Sequence, residues 1–273
     1  MANKSCSDTV QGSGYKGNTV IKLIVFDKDG VILDLSATWL PVVRAVADYT
    51  ISRLPPDAAG RLGAADLLAS IGVDAASGWI DPAGIFAKDS FAVIQSVWQR
   101  QLPAGAIELR SDAQYQQKVN ALILQLARGK SHPKGDIKTP LGHLYAAGLR
   151  LALLTNDNEA SAQQNLSDLG VAQLFSPVVG ADSGHGAKPY PDGLLFCCAA
   201  NGVDVSETIM VGDTMADYMA AKAANVADFI CIAEDAAHRP DPAIKPENVI
   251  PSLELLPELL RGRGDTILQA TAS

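Results

Sequence analysis

Short apolar runs, each closed by a polar turn, alternate with longer segments of helical period along most of this chain. The first run, "NTVIKLIVF", reads as a buried strand that breaks abruptly into Asp27, Lys28, Asp29 and Gly30, with a further acid at Asp34. The period then lengthens. In "SATWLPVVRAVADYTISRL" the residues Trp39, Leu40, Val42, Val43, Val46 and Ala47 share one helical face, and Ser36 is expected as the N-cap. Further helices are expected in "GAADLLASIGV", "FAKDSFAVIQSVWQRQL" and "SDAQYQQKVNALILQLARG", and nothing in this stretch reads as a strand. Trp39, Trp79 and Trp98 all fall within it.

From about residue 137 helix and short strand take turns: "PLGHLYAAG", "LRLALLT", "EASAQQNLSDLG", "FSPVVGA", "PDGLLFCCAANG", "TIMVGD", "ADYMAAKAANV", "FICIA". Such a βαβ series predicts an α/β fold built on a doubly wound, Rossmann-like parallel sheet. Asn225 stands where the last Ala-rich helix must stop and is expected to take the left-handed C-cap conformation. The expected organisation is a loose Gly/Ser-rich tail over 1–18, an α/β core over 19–35 and 133–262, an inserted α-helical cap over 36–132, and a C-terminal tail over 263–273.

Composition narrows the function classes. With 48% hydrophobic and 19% charged residues in 273, the chain can bury a sizeable core and is not disordered. Its net charge of −8, without a basic run, argues against nucleic acid and anionic membrane surfaces as partners. The first 20 residues hold no apolar stretch of secretory-signal length and no later run approaches a membrane span, so a cytoplasmic location is expected. Cys6, Cys197, Cys198 and Cys231 form no metal or disulfide spacing and are expected as free thiols, and the four histidines show no zinc pattern.

What stands at the strand ends carries the chemistry. "LALLTNDN" ends in Thr155 and Asn156, "GHGAKPYPDG" carries Lys188, and "TIMVGDTMADY" ends in Asp213 with Asp217 four residues on. Each has an ordinary role as well: Asp-Gly makes turns, a Thr satisfies turn backbone, a lone Lys is usually solvated, and acids at i and i+4 answer a helix dipole. Acid pair, hydroxyl, lysine and acid pair at four ends of one sheet argue instead for a shared site at the carboxyl ends of parallel strands.

In this order the residues resemble the haloacid dehalogenase-like hydrolase superfamily, whose four motifs appear as Asp27-Lys28-Asp29-Gly30, Thr155-Asn156, Lys188-Pro189, and Gly212-Asp213 through Asp217. The runs "PLGHLYAAGLRLALLTN", "GAKPYPDGL" and "NVIPSLELLPELL" are similar to its phosphoglycolate phosphatase-like branch, whose members carry a helical cap between the first and second motifs. Val31, where many members have Thr, and Asp157, after Thr-Asn, depart from the pattern without touching a catalytic position.

The resemblance implies a magnesium-dependent phosphatase acting on a small phosphorylated metabolite, phosphoglycolate or a sugar phosphate, as a monomer or homodimer. Asp27 would be the nucleophile, forming an aspartyl-phosphate, and Asp29 the general acid and base. Thr155 and the backbone of Asn156 would bind the phosphoryl group, as would the backbone N–H of Lys28, rather than its ammonium. Lys188 would offset charge. Mg2+ prefers carboxylate, carbonyl and water oxygens, which Asp27 and Asp213 can supply, with the Asp29 carbonyl as a third ligand and Asp217 supporting the ion directly or through water. Asp29 argues against dehalogenase and phosphonate-cleaving relatives. A phosphosugar mutase and a catalytically silent binding module remain alternatives. Specificity is expected from the cap, with Trp39, Arg44, Trp79, Lys88, Trp98, Arg100 and Arg110 as candidates.

Overall fold

The computed structural model describes residues 20–56, 61–81, 84–127, 129–233 and 235–263; the expected N-terminal tail, Cys6, the Lys88 side chain and the tail beyond Arg263 lie outside the described residues. Six strands form one sheet: β1 (Leu23–Phe26), β2 (Arg150–Leu154), β3 (Phe175–Val179), β4 (Thr208–Gly212), β5 (Asp228–Ile232) and β6 (Val249–Ile250). Their order is β3-β2-β1-β4-β5-β6, and every neighbouring pair is parallel. The chain winds outward from β1 through β2 to β3, then crosses back to β4 on the other side of β1. That reversal opens a crevice at the carboxyl ends of β1, β2 and β4, the place where open α/β sheets hold ligands.

Side chains alternate across this sheet, and each face buries its own layer. Ile24, Phe26, Leu151, Leu153, Ile209 and Val211 face one layer, covered by α6 (Lys138–Ala146), α7 (Glu159–Asp168) and α10 (Leu256–Gly262). Leu23, Val25, Ala152, Leu154, Met210 and Cys231 face the other, covered by α8 (Asp192–Asn201) and α9 (Met215–Ala224). Cys197, Cys198 and Cys231 are buried free thiols within this second layer. Asn225 ends α9 in the left-handed region at φ 56°, as its position in the sequence requires.

The helical insertion comprises α1 (Leu35–Ser52), α2 (Ala64–Ala69), α3 (Ile85–Lys88), α4 (Phe91–Gln99) and α5 (Ala113–Ala127), packed around a third hydrophobic cluster of its own. It leaves and rejoins the sheet through two segments that run antiparallel beside each other. Asp34 N–H donates to the His132 carbonyl at 2.8 Å, and Lys134 N–H donates to the Ile32 carbonyl at 2.9 Å. Both segments follow the end of β1, so the insertion stands over the crevice. Among the described residues no helix is long and apolar enough to cross a membrane.

Local details differ from the sequence expectations. Asp34, not Ser36, caps α1: it is the last extended residue, and its Oδ1 accepts from the Ala37 N–H at 2.8 Å. The expected single helix over "FAKDSFAVIQSVWQRQL" is two, because Asp89 and Ser90 are extended, with ψ 162° and 158°. Trp98 is fully buried in the cap cluster, and its indole N–H donates to the Leu67 carbonyl at 2.8 Å. It packs the cap and has no face left for a substrate. Arg44 donates to the Ala75 carbonyl at 2.9 Å, which ties α1 to the turn after α2.

Candidate active site

The end of β1 is forced into shape by what it meets. Gly30 has φ +79°, and a Cβ there would lie 1.9 Å from Asp213 Oδ2, so only glycine lets the turn after Asp29 pass against the end of β4. Gly212 is equally confined, since a Cβ would lie 2.4 Å from the Asp217 Cβ. The first approach brings the two acid pairs together, and the second folds Asp217 back against the end of β4. Thr214 and Asp217 form a reciprocal capping box at the start of α9, with Asp217 Oδ2 accepting from the Thr214 N–H at 2.9 Å and its hydroxyl at 2.6 Å. The i, i+4 acid spacing read from the sequence is therefore both a helix cap and part of the site.

Asp27, Asp213 and Asp217 present carboxylate oxygens that all lie within 4.8 Å of one another. Lys188 reaches into this group, its Nζ 2.5 Å from both Asp27 Oδ1 and Asp217 Oδ1. Lys188, even with the charge of Lys134 acting on Asp213, does not balance three carboxylates. Burial, and then the charge of Asp217, push the Asp27 carboxyl up to about 7 against the opposing pull of Lys188. Burial and the neighbouring carboxylates likewise drive Asp213 well above the ordinary range. Burial would lower the Lys188 ammonium, but Asp217 and Asp27 more than offset it and hold it above its usual value.

A divalent cation fits this deficit of positive charge. Asp213 Oδ1 is buried without a hydrogen-bond partner, an expensive arrangement for a carboxylate and an open ligand position for an ion. Asp217 is different, since Oδ1 is held by Lys188 and Oδ2 by the Thr214 turn.

A second polar network lies beside the first. Asp29 Oδ2 is 3.1 Å from Lys28 Nζ, and its Oδ1 accepts from the Trp39 indole N–H of α1 at 3.1 Å. The Lys28 side chain is buried, and its ammonium also donates to Asp157 Oδ2 at 2.8 Å and Asn165 Oδ1 at 2.9 Å. The Trp39 ring stands 5.1 Å from the same nitrogen. Burial raises the Asp29 carboxyl above its ordinary range although Lys28 pulls it down.

The Lys28 ammonium, Asp157 and Asn165 form a network beside the site to which the sequence alone assigned no role. The available signal was a lysine two residues after four fully buried strand residues, which cannot reach water and must find anions within the fold. Lys28→Met is expected to cost about 3–5 kcal/mol, because it strands the partly buried Asp29 and Asp157 carboxylates. Denaturant unfolding at neutral pH checks this, and unchanged stability would show that the network carries no weight.

The remaining sequence candidates converge on the same place. Thr155 is buried at the end of β2, where its Oγ1 accepts from the Asp157 N–H at 3.1 Å. The Asn156 side chain clamps Lys188 through two bonds, Nδ2 to the Lys188 carbonyl at 3.0 Å and Oδ1 from the Lys188 N–H at 2.8 Å. Asp27, Asp29, Thr155, Asn156 and Lys188 line one cavity of about 270 Å³ whose opposite wall comes from the cap. Of the cap candidates Trp39 lines it, while Arg44, Trp79, Trp98, Arg100 and Arg110 do not.

Residues 21–225 match the family model for a haloacid dehalogenase-like hydrolase. The chain belongs to this family. Among curated relatives, a phosphoglycolate phosphatase from Vibrio parahaemolyticus is 31% identical over 209 residues, covering 77% of this chain and 82% of the relative. One from Neisseria meningitidis is 36% identical over 120 residues, covering 41% of this chain and about half, 51%, of the relative. The fold is similar to the crystal structure of a predicted phosphoglycolate phosphatase from Haemophilus somnus, with a TM-score of 0.64 at 19% identity over 88% of this chain and 97% of that one.

Proposed function

We propose that this chain is a metal-dependent phosphatase that hydrolyses a small phosphorylated metabolite through an aspartyl-phosphate on Asp27. The observation that carries this reading is the buried, unpartnered Asp213 Oδ1 beside Asp27, a residue that lines the cavity together with Asp29, Thr155 and Lys188. Asp27, Asp213 and the Asp29 carbonyl would hold Mg2+, and Asp217, committed to Lys188 and the α9 cap, orients these groups. The bound ion supplies neutralisation of the phosphoryl dianion, which bare carboxylates would repel.

Asp27 attacks phosphorus as the bond from phosphorus to the substrate alcohol breaks, and Asp29 delivers its proton to the departing alkoxide. Burial, which raises the pKa of Asp29, suits it to hold that proton beforehand. In the second half Asp29, now ionised, takes a proton from water, whose oxygen attacks phosphorus and returns Asp27 as a free carboxylate. Lys188 and Thr155 stabilise charge on the transferring group, with Asn156 fixing Lys188 in place. The relative matched over most of its length is named a phosphatase, which favours water over a second sugar hydroxyl as acceptor. We also propose a cytoplasmic location and a small-molecule partner, and the acidic balance of the chain speaks against nucleic acid.

Release of inorganic phosphate from p-nitrophenyl phosphate, after chelation and again across a Mg2+ titration, tests this reading. Activity is expected to vanish on chelation and return with Mg2+, while the ion raises the melting temperature by binding only the folded state. Full activity in the chelated protein, unaltered by added Mg2+, would defeat the metal assignment.

A further inference from the structure

The cavity wall facing the phosphate site is built almost wholly from apolar cap residues. Trp39, Val42 and Val43 come from α1, and Phe86, Phe91 and Ile94 from α3 and α4. Val42, Val43, Phe86 and Ile94 are buried yet border open volume, so their side chains are turned toward an enclosed space rather than toward solvent. Polar groups from the cap are Asp89, Ser90 and Asn120, none of them cationic. Among the described residues lining the cavity, Lys188 is the only cation, and it is committed to Asp27 and Asp217 on the floor.

A substrate whose alcohol half carried a carboxylate would meet an apolar wall and the like charge of Asp89, with no described cation to receive it. Desolvating an unpaired carboxylate is costly, whereas covering apolar surface is favourable. Resting on the phosphatase reading above, we infer that the alcohol half of the substrate is a neutral, ring-bearing group that lies against this apolar wall. One face of the ring would lie on Trp39 and Phe91. Hydroxyls at its rim would find Asp89, Ser90 and Asn120 as partners. A volume of about 270 Å³ suits a phosphoryl group joined to a single ring.

The test compares kcat/KM for glucose 6-phosphate and benzyl phosphate with that for 2-phosphoglycolate and 3-phosphoglycerate, using the full chain with Mg2+ and p-nitrophenyl phosphate as reference. At least one neutral ring ester is expected to exceed both carboxylates by roughly tenfold or more. Phe91→Ala should narrow that gap. Asn120→Arg, at an exposed position on α5 that needs no repacking, should raise turnover of 2-phosphoglycolate relative to benzyl phosphate. A wild-type preference for either carboxylate overturns the inference and leaves the phosphatase reading standing. Failure to release phosphate from any ester, p-nitrophenyl phosphate included, overturns both.

Discussion

Asp27→Asn is expected to lower phosphate release by at least about 10³-fold while the protein stays folded, because the nucleophile is lost without a change of shape. Its effect on stability has a definite sign. The ordinary value of this carboxyl is 3.8 and the folded value about 7, so ionisation weakens the metal-free fold progressively as pH rises between those two values. An amide carries no such charge and still accepts from Lys188. The chelated variant should therefore melt no lower than the chelated native protein at pH 8. Phosphate release and circular dichroism, followed on the same preparations, check both halves. A well-folded Asp27→Asn protein with near-native turnover would remove Asp27 from the chemistry.

Asp29→Asn should lower turnover of benzyl phosphate by about 10²–10⁴-fold, the usual worth of a general acid and base. The loss should be far smaller in the first chemical step with p-nitrophenyl phosphate, whose phenolate departs without needing a proton. Single-turnover kinetics separate that step from the hydrolysis of the aspartyl-phosphate. The variant keeps the Trp39 contact through its amide oxygen, and Lys28 retains Asp157 and Asn165, so the network survives. Equal losses in the first step for both esters would show that Asp29 positions the substrate and transfers no proton.

The parallel sheet was legible because its longer strands are compact, largely apolar runs, three of which, β1, β2 and β4, lead straight into Asp27, Thr155 and Asp213, and because helices of clear period separate them. β6 was not, since two residues, Val249 and Ile250, make too short a run to register as a strand. The convergence of Asp27 with Asp213 could be suspected from their places at strand ends, but not the reason for it, which lies in the close approach of Gly30 to Asp213. Lys28 shows the limit most clearly. A lysine between two acids reads as a solvated charge, and only the neighbouring strand β2 and helix α7 reveal Asp157 and Asn165 waiting for it. Trp39 and Trp98 carry the same side chain in the same kind of helix, yet one faces the site and the other the cap interior; rotation about the helix axis after packing decides this.

The position of β1 in the sheet has a bearing on how the chain is made. β1 is translated first among the strands, but both of its neighbours come much later: it pairs with β2 at Arg150 and with β4 at Thr208. During synthesis its four fully buried residues have no sheet partner while more than a hundred residues of cap and connecting chain emerge behind them. The cap, by contrast, holds a hydrophobic cluster of its own and can condense before β2 exists. Contacts this distant in sequence make folding slow and leave an apolar strand open to wrong partners in the interval. The oldest strand of the nascent chain is thus the one that waits longest for its partners, and the yield of active protein depends on keeping Leu23–Phe26 from aggregating until the second half of the molecule arrives.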